Sequence, residues 1–213
     1  MKIINIVQNF FLASTLVILA LLPLWSAFGN MSPVIQSIWY FISFLAVTLV
    51  MLIRPLADIF INQKWLRKLV VLRKGVGLLS ASIVIAFVIG KLVIPDSSYL
   101  ALMFTKQYWS FRNYTIFAHL GDITGFILLI TSNNLSMVLM KKNWKRVQKL
   151  AYVYFYAGGI YEAGALGSKF AIISMIVVTI AVCIAFLFNR RRQNSHQQTA
   201  KYITINNLNA GNK

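Results

Sequence analysis

The chain has 213 residues, of which 59% are hydrophobic and only 12% are charged, and its formal net charge is +17. Because soluble domains usually carry about 25% charged residues, this composition, with its apolar residues in long unbroken blocks, excludes a soluble globular domain. The positive charge would suit nucleic acid, but the basic residues lie between apolar blocks and not along one amphipathic face, which argues against nucleic-acid binding. The single cysteine, Cys183, excludes an intrachain disulfide.

Six apolar blocks approach the length of about 20 residues that a helix needs to cross the hydrocarbon layer of a membrane. They cover residues 7–28, 34–53, 75–94, 114–132, 147–166 and 170–188. The first block could be a signal peptide, but its length favours a retained anchor helix. We therefore predict an all-α integral membrane bundle of about six transmembrane helices over residues 1–190. A polar tail, predicted to be disordered and cytoplasmic, follows over residues 191–213.

Local signals predict where these helices end. The second helix is expected to stop at Arg54-Pro55 and the third at Pro95, because proline disfavours continuation of a helix. The polar run 131–134 predicts the end of the fourth helix and the start of a short interfacial helix. A very short turn around Gly167 predicts that the fifth and sixth helices are antiparallel neighbours.

The basic residues predict the orientation of the bundle. Lys2 and the segments after the second, fourth and sixth helices carry 17 of the 21 lysine and arginine residues. The positive-inside rule then places both termini in the cytoplasm, in a bacterial-type inner (plasma) membrane. These basic segments suit contact with anionic lipid, or with a flavin phosphate or acidic partner, and lipid contact needs the fewest assumptions. The opposite side carries Lys91, Lys106, Arg112 and Lys169.

Three stretches are similar to those of a known family. They are residues 48–57, which end in Arg54-Pro55-Leu56-Ala57, residues 72–78, and residues 131–152 with Trp144 to Gln148. Their order and spacing resemble the ferric reductase-like transmembrane domain over residues 34–190. The nearest pattern is that of the haem-binding membrane subunit of the periplasmic methionine-sulfoxide reductase system.

The resemblance implies a six-helix bundle that binds b-type haem and passes electrons from cytoplasmic reductants to an acceptor outside. The family's haem-ligand histidines, one in the third helix and two in the fifth, fall here at about Phe87, Gln148 and Tyr161. None is histidine, so an ordinary bis-histidine haem b is not expected; flavin and quinone are the remaining cofactor hypotheses. The chain is then a transmembrane electron-transfer subunit or, alternatively, a degenerate, non-catalytic assembly or interaction subunit with a membrane or periplasmic protein partner.

Five polar residues near the outer side form a candidate site: Lys91, His119, Asp122, Tyr161 and Glu162. His119 and Asp122 are three residues apart and so share one helical face. One interpretation is an outward-facing pocket that binds a metal ion, relays protons or receives a quinone. The other, preferred on sequence alone, is that the basic residues extend to the interface and the acids form salt bridges that hold helices together.

Two further interpretations concern aromatic residues and the tail. The five tryptophans and the series Tyr152, Tyr154 and Tyr156 predict aromatic belts at the membrane interfaces. His196, in the polar tail, is predicted to be solvated. We find no sequence pattern of a recognised catalytic site, so whether the chain is an enzyme stays open at this point.

Overall fold

The computed structural model describes residues 2–29, 31–94, 99–106, 108–111, 113–132 and 134–211, with no account of the side chains of 2–5, 64, 100, 134, 135 and 195–211. Over these residues the fold is entirely helical, without a strand, which confirms the all-α class. The helices are α1 Lys2–Phe28, α2 Pro33–Ile59, α3 Lys64–Leu69, α4 Arg73–Val93, α5 Tyr99–Met103, α6 Thr115–Thr131, α7 Asn134–Met140, α8 Lys142–Val147, α9 Leu150–Ala165 and α10 Lys169–Gly211. A 3-10 turn, Val70–Leu72, joins α3 to α4.

Four helical segments are long and apolar enough to cross a membrane. They are Ile6–Phe28, Pro33–Ile59, Trp65–Val93 and Lys169–Asn194. Helices α6 and α9 have 17 and 16 residues. At about 1.5 Å per residue each of them is a few ångströms shorter than the roughly 30 Å hydrocarbon layer. Length and composition therefore support membrane spanning for α1, α2, α4 and α10.

The end of α2 differs from the prediction. The helix does not stop at Arg54-Pro55 but continues to Ile59 with Pro55 inside it. A proline removes only its own N–H donor from the helical ladder, and the ladder resumes beyond it, where the Phe60 N–H donates to the Leu56 carbonyl at 2.9 Å. Pro55 is buried, so packing holds this last turn in place.

The start of α9 also differs from the prediction. The fifth helix was expected from residue 147, but α8 ends at Val147 and α9 begins at Leu150. Between them the Lys149 N–H bonds to the Arg146 carbonyl at 3.1 Å, the tighter i to i−3 pattern that ends an α-helix. Gln148 therefore lies in the junction and outside the body of the helix.

The turn between α9 and α10 agrees with the prediction. Gly167 has φ +66°, a left-handed conformation that glycine adopts without steric cost. The Ser168 N–H bonds to the Glu162 carbonyl at 3.0 Å, and its hydroxyl accepts the Ala171 N–H at 3.3 Å. The two helices are thus joined by three residues and pack against each other.

The backbone of residues 191–211 continues α10 as helix, whereas the sequence predicts a disordered tail there. The side chain of His196 lies outside the described part of the chain. Isolated polar helices are marginal in water, and disorder of the tail in solution stays a prediction. The predicted turn at Pro95 lies outside the described residues, as does Asn133 of the polar run after α6.

Helix α4 is central, with α1 along one side and α2 and α6 on the other, while α9 packs against α6, α2 and α10. Phe155 of α9 is 0% exposed and stacks on Phe44 of α2 with ring centroids 5.6 Å apart. On the other side of the bundle Phe87 of α4 packs with Leu22 of α1. Large apolar side chains of α10 point outward, among them Ile173, Ile176, Ile180, Phe186 and Leu187, and an apolar surface of this kind is compatible with contact with lipid.

A buried polar cluster ties three helices together. The Ser80 hydroxyl of α4 donates to the Ser43 carbonyl of α2 at 2.9 Å, and the two hydroxyls lie 3.1 Å apart. Ser80 Oγ also lies 3.1 Å from the Tyr154 hydroxyl of α9. Tyr154 is buried, so its assignment to an interfacial belt was wrong: its hydroxyl finds a partner inside the bundle.

Candidate functional site

The main cavity lies between α2, α4, α6 and α9 and has a volume of about 510 Å³. Such a volume falls in the range of about 300–1,000 Å³ found for small-molecule sites. All five residues of the predicted polar cluster line it, although they come from three helices: Lys91, His119, Asp122, Tyr161 and Glu162. The structure therefore brings together residues that are up to 71 positions apart in the sequence.

His119 is the least exposed of these five residues. It is 9% exposed, and its ring stacks face to face on Tyr108 with centroids 3.4 Å apart and an interplanar angle of 11°. Its Nδ1 faces Asp122 Oδ2 at 3.8 Å, while its Nε2 is buried with no hydrogen-bond partner among the described residues. A buried polar atom left unpaired costs about 1–3 kcal/mol, so a hydrogen-bond partner for Nε2 would stabilise this part of the bundle.

The phenol that stacks on His119, Tyr108, is hydrogen-bonded to a second phenol, Tyr99. The Tyr108 hydroxyl donates to the Tyr99 hydroxyl at 2.9 Å. Burial raises the pKa of both phenols, and for Tyr108 the hydrogen bond to Tyr99 raises the pKa further. Both therefore stay protonated at neutral pH, and the Tyr99 O–H proton is left to donate to another acceptor. The Lys91 ammonium lies 5.4 Å from the centre of the Tyr99 ring, a cation–π distance.

Sequence reasoning missed the wall that α2 contributes. Gln36, Tyr40 and Ser43 line the main cavity, and their spacing of four and three residues places them on one face of an otherwise apolar helix. This polar stripe was the signal that could have identified them. The phenols Tyr99 and Tyr108 had no such signal, because they precede α6 in a segment without periodic pattern.

The positions of the family's haem ligands do not fit haem in this structure. Phe87 is 2% exposed and stacked on Tyr40, with ring centroids 4.9 Å apart, and it offers no donor atom. Gln148 lies in the α8–α9 junction and does not line the main cavity, which Tyr161 does. The three positions therefore do not form a ligand set around one space.

The lining of the main cavity suits a quinone better than a metal ion. Within the described ranges, no group of three His, Cys, Asp or Glu side chains is arranged to hold a metal ion. A quinone ring needs apolar walls and donors for its carbonyl oxygens, and Val84, Val88 and Phe44 supply walls beside the polar groups of the main cavity.

Comparisons with family models, with curated proteins and with solved structures find no match to this chain. The resemblance to the ferric reductase-like domain rests on the sequence motifs alone.

Proposed function

We propose that the protein is a six-helix membrane subunit of ferric reductase-like architecture, with both termini in the cytoplasm of a bacterial-type inner membrane. Support comes from α6 and α9, which complete the bundle with α2 and α4 although they are short. Local thinning of the bilayer accommodates short spans at modest cost. The end of α2 also contacts α10 where the apolar part of α10 ends. Asn189 Nδ2 donates to Asp58 Oδ2 at 3.3 Å, and Arg192 donates to the Asp58 carbonyl at 2.9 Å.

Cysteine labelling tests this topology, because six spans place residue 143 inside the cell and four spans place it outside. In a Cys183→Ala background, Asn143→Cys is expected to react with a membrane-impermeant maleimide only after the cells are permeabilised. Phe104→Cys, at a position that is 90% exposed, is the control and is expected to react in intact cells. Labelling of Asn143→Cys in intact cells would show that α6 and α9 do not cross.

The main cavity, on the outer side in this topology, binds a small ring ligand of the quinone class and gives the subunit its part in electron transfer. The observation that carries this proposal is the cavity lining, which brings together Asp122, Glu162 and His119, whose Nε2 is buried without a hydrogen-bond partner among the described residues. A quinone carbonyl would accept a hydrogen bond from the Tyr99 hydroxyl, which lines the same cavity, and from the protonated Nε2 of His119 where the ligand reaches that buried nitrogen. Asp122 and Glu162 in the same wall are groups that could exchange protons with the ligand.

The second candidate function is assembly or interaction within a membrane complex, without electron transfer. One specific observation favours it: Phe87, at a family haem-ligand position, is fully incorporated into the core with Leu22 and Tyr40. In this case water fills the cavity, and its polar residues hold the helices together.

Spectroscopy and ligand binding distinguish the two. The protein in mild detergent is expected to lack a reduced b-type α-band after dithionite, and a short-chain benzoquinone is expected to quench tryptophan fluorescence, since Trp109 lies 5.7 Å from His119. His119→Ala should weaken binding about tenfold, the effect of one lost hydrogen bond to a buried group.

The matched control is Phe126→Ala, on the exposed face of the same helix, which should bind the quinone as the unchanged protein does. Failure of the unchanged protein to bind, together with a flat spectrum, would favour the assembly function. A reduced b-type α-band would contradict the quinone proposal and show that the protein binds haem through ligands other than a histidine pair.

A further inference from the structure

A second recess lies at the end of the bundle opposite Lys91 and the main cavity. It has a volume of about 420 Å³ and is lined by Arg54, Ala57, Asp58, Ile61, Arg67, Val70 and Arg73. We call it the basic recess. The end of α2, the short α3 and the start of α4 build it, so its arginines come from three consecutive helical elements.

The charges in the basic recess are unbalanced. Three arginines and one aspartate line it, and among the described residues no carboxylate lies within 4 Å of any of the three guanidinium groups. Asp58 is engaged elsewhere, since its Oδ2 accepts the Asn189 amide. Arg54 and Arg73 are close enough for their like charges to repel each other. The lining therefore has an excess of positive charge, which an anion would balance.

We propose that the basic recess binds a phosphate group. Arginine presents a planar fork of donors that matches phosphate oxygens in pairs, and it is less strongly hydrated than lysine. The floor of the recess adds apolar atoms from Ala57, Ile61 and Val70, which suits a phosphate attached to an organic group. An anionic phospholipid head group and a soluble phosphate compound share this chemistry. The lipid source depends on the membrane location proposed above, while phosphate recognition itself does not depend on the quinone proposal.

The test is a titration of the full-length protein in mild detergent, with the shift of the thermal midpoint as the measure of binding. The probes are phosphatidylglycerol, phosphatidylcholine as the zwitterionic comparison, and inorganic phosphate. Ligands that bind only the folded state raise the midpoint. Arg67→Gln, on an exposed side chain of α3, should need about tenfold more of the effective probe for the same shift, and Arg54→Gln/Arg67→Gln/Arg73→Gln should abolish the shift.

The control is Lys141→Gln/Lys142→Gln/Lys145→Gln, which removes the same charge from another basic connector outside the recess. It should retain the shift. A response to phosphatidylglycerol alone identifies a lipid head group, and a response to inorganic phosphate identifies a soluble source. The proposal is overturned if no probe shifts the unchanged protein, or if the control loses the shift as Arg67→Gln does. Arg67→Gln keeps the test decisive if the triple arginine variant does not fold.

Discussion

Replacing Phe155 by alanine is expected to lower the free energy of unfolding by about 3–5 kcal/mol, the range for removing a fully buried aromatic ring. The ring is 0% exposed, stacks on Phe44 and lies edge-on to Tyr156 at 5.1 Å. Its removal leaves a cavity where α9 meets α2, which the surrounding helices can fill only partly. The measurement is equilibrium unfolding in mixed micelles with increasing sodium dodecyl sulfate.

Phe186→Ala is the control for this prediction. Phe186 is 63% exposed on α10, so its truncation should change the stability by less than about 0.5 kcal/mol. Equal losses for the two variants would contradict the packing described here, because both rings would then have to be equally buried.

Replacing Gly121 by leucine is the second change with a large expected effect. Gly121 of α6 faces α9 across the main cavity wall, and a Cβ atom added there would lie 3.8 Å from the backbone nitrogen of Gly158. A methyl group fits this gap, but a leucine side chain must push the helices apart or enter the cavity. We expect a loss of about 1–3 kcal/mol, as for overpacked cores, together with loss of quinone binding.

Gly121→Ala provides the comparison on the same site. Its Cβ makes ordinary van der Waals contact, so both the stability and the binding should stay close to those of the unchanged protein. If leucine is tolerated as well as alanine, α6 and α9 cannot approach as closely as the glycine pair indicates. The readouts are the unfolding measurement and fluorescence quenching by the benzoquinone.

Hydrophobic block length predicted the six principal helices, but the end of α2, the start of α9 and the end of α10 differ from the prediction. Proline weakens an isolated helix and so predicts a stop at Pro55, whereas Pro55 is buried in the bundle and α2 continues to Ile59. The apolar block 147–166 predicts a helix from residue 147, whereas α9 begins at Leu150. Only the three-dimensional contacts reveal these departures.

The polar cluster was predicted from side and spacing alone, and its five members line one cavity. The spacing of the polar residues did not reveal the rest of the cavity lining, because Tyr108 stacks on His119 from the segment between α5 and α6, and Tyr99 at the start of α5 contacts Tyr108. The sequence also does not predict the buried hydrogen bonds between Ser43 and Ser80. A serine in an apolar helix has no distinctive pattern, and its partner on another helix is known only from the structure.

The Ser80 hydroxyl has one proton and donates it to the Ser43 carbonyl, so Tyr154 is the donor in the 3.1 Å hydrogen bond between its hydroxyl and Ser80 Oγ. The phenol proton of Tyr154 therefore points away from the main cavity, which the side chain lines, and only the lone pairs of its oxygen are left for a bound molecule. At this position a ligand that offers an O–H is favoured over one that offers a C=O. In the proposed quinone site, this arrangement favours the reduced, hydroxyl-bearing form of the ligand.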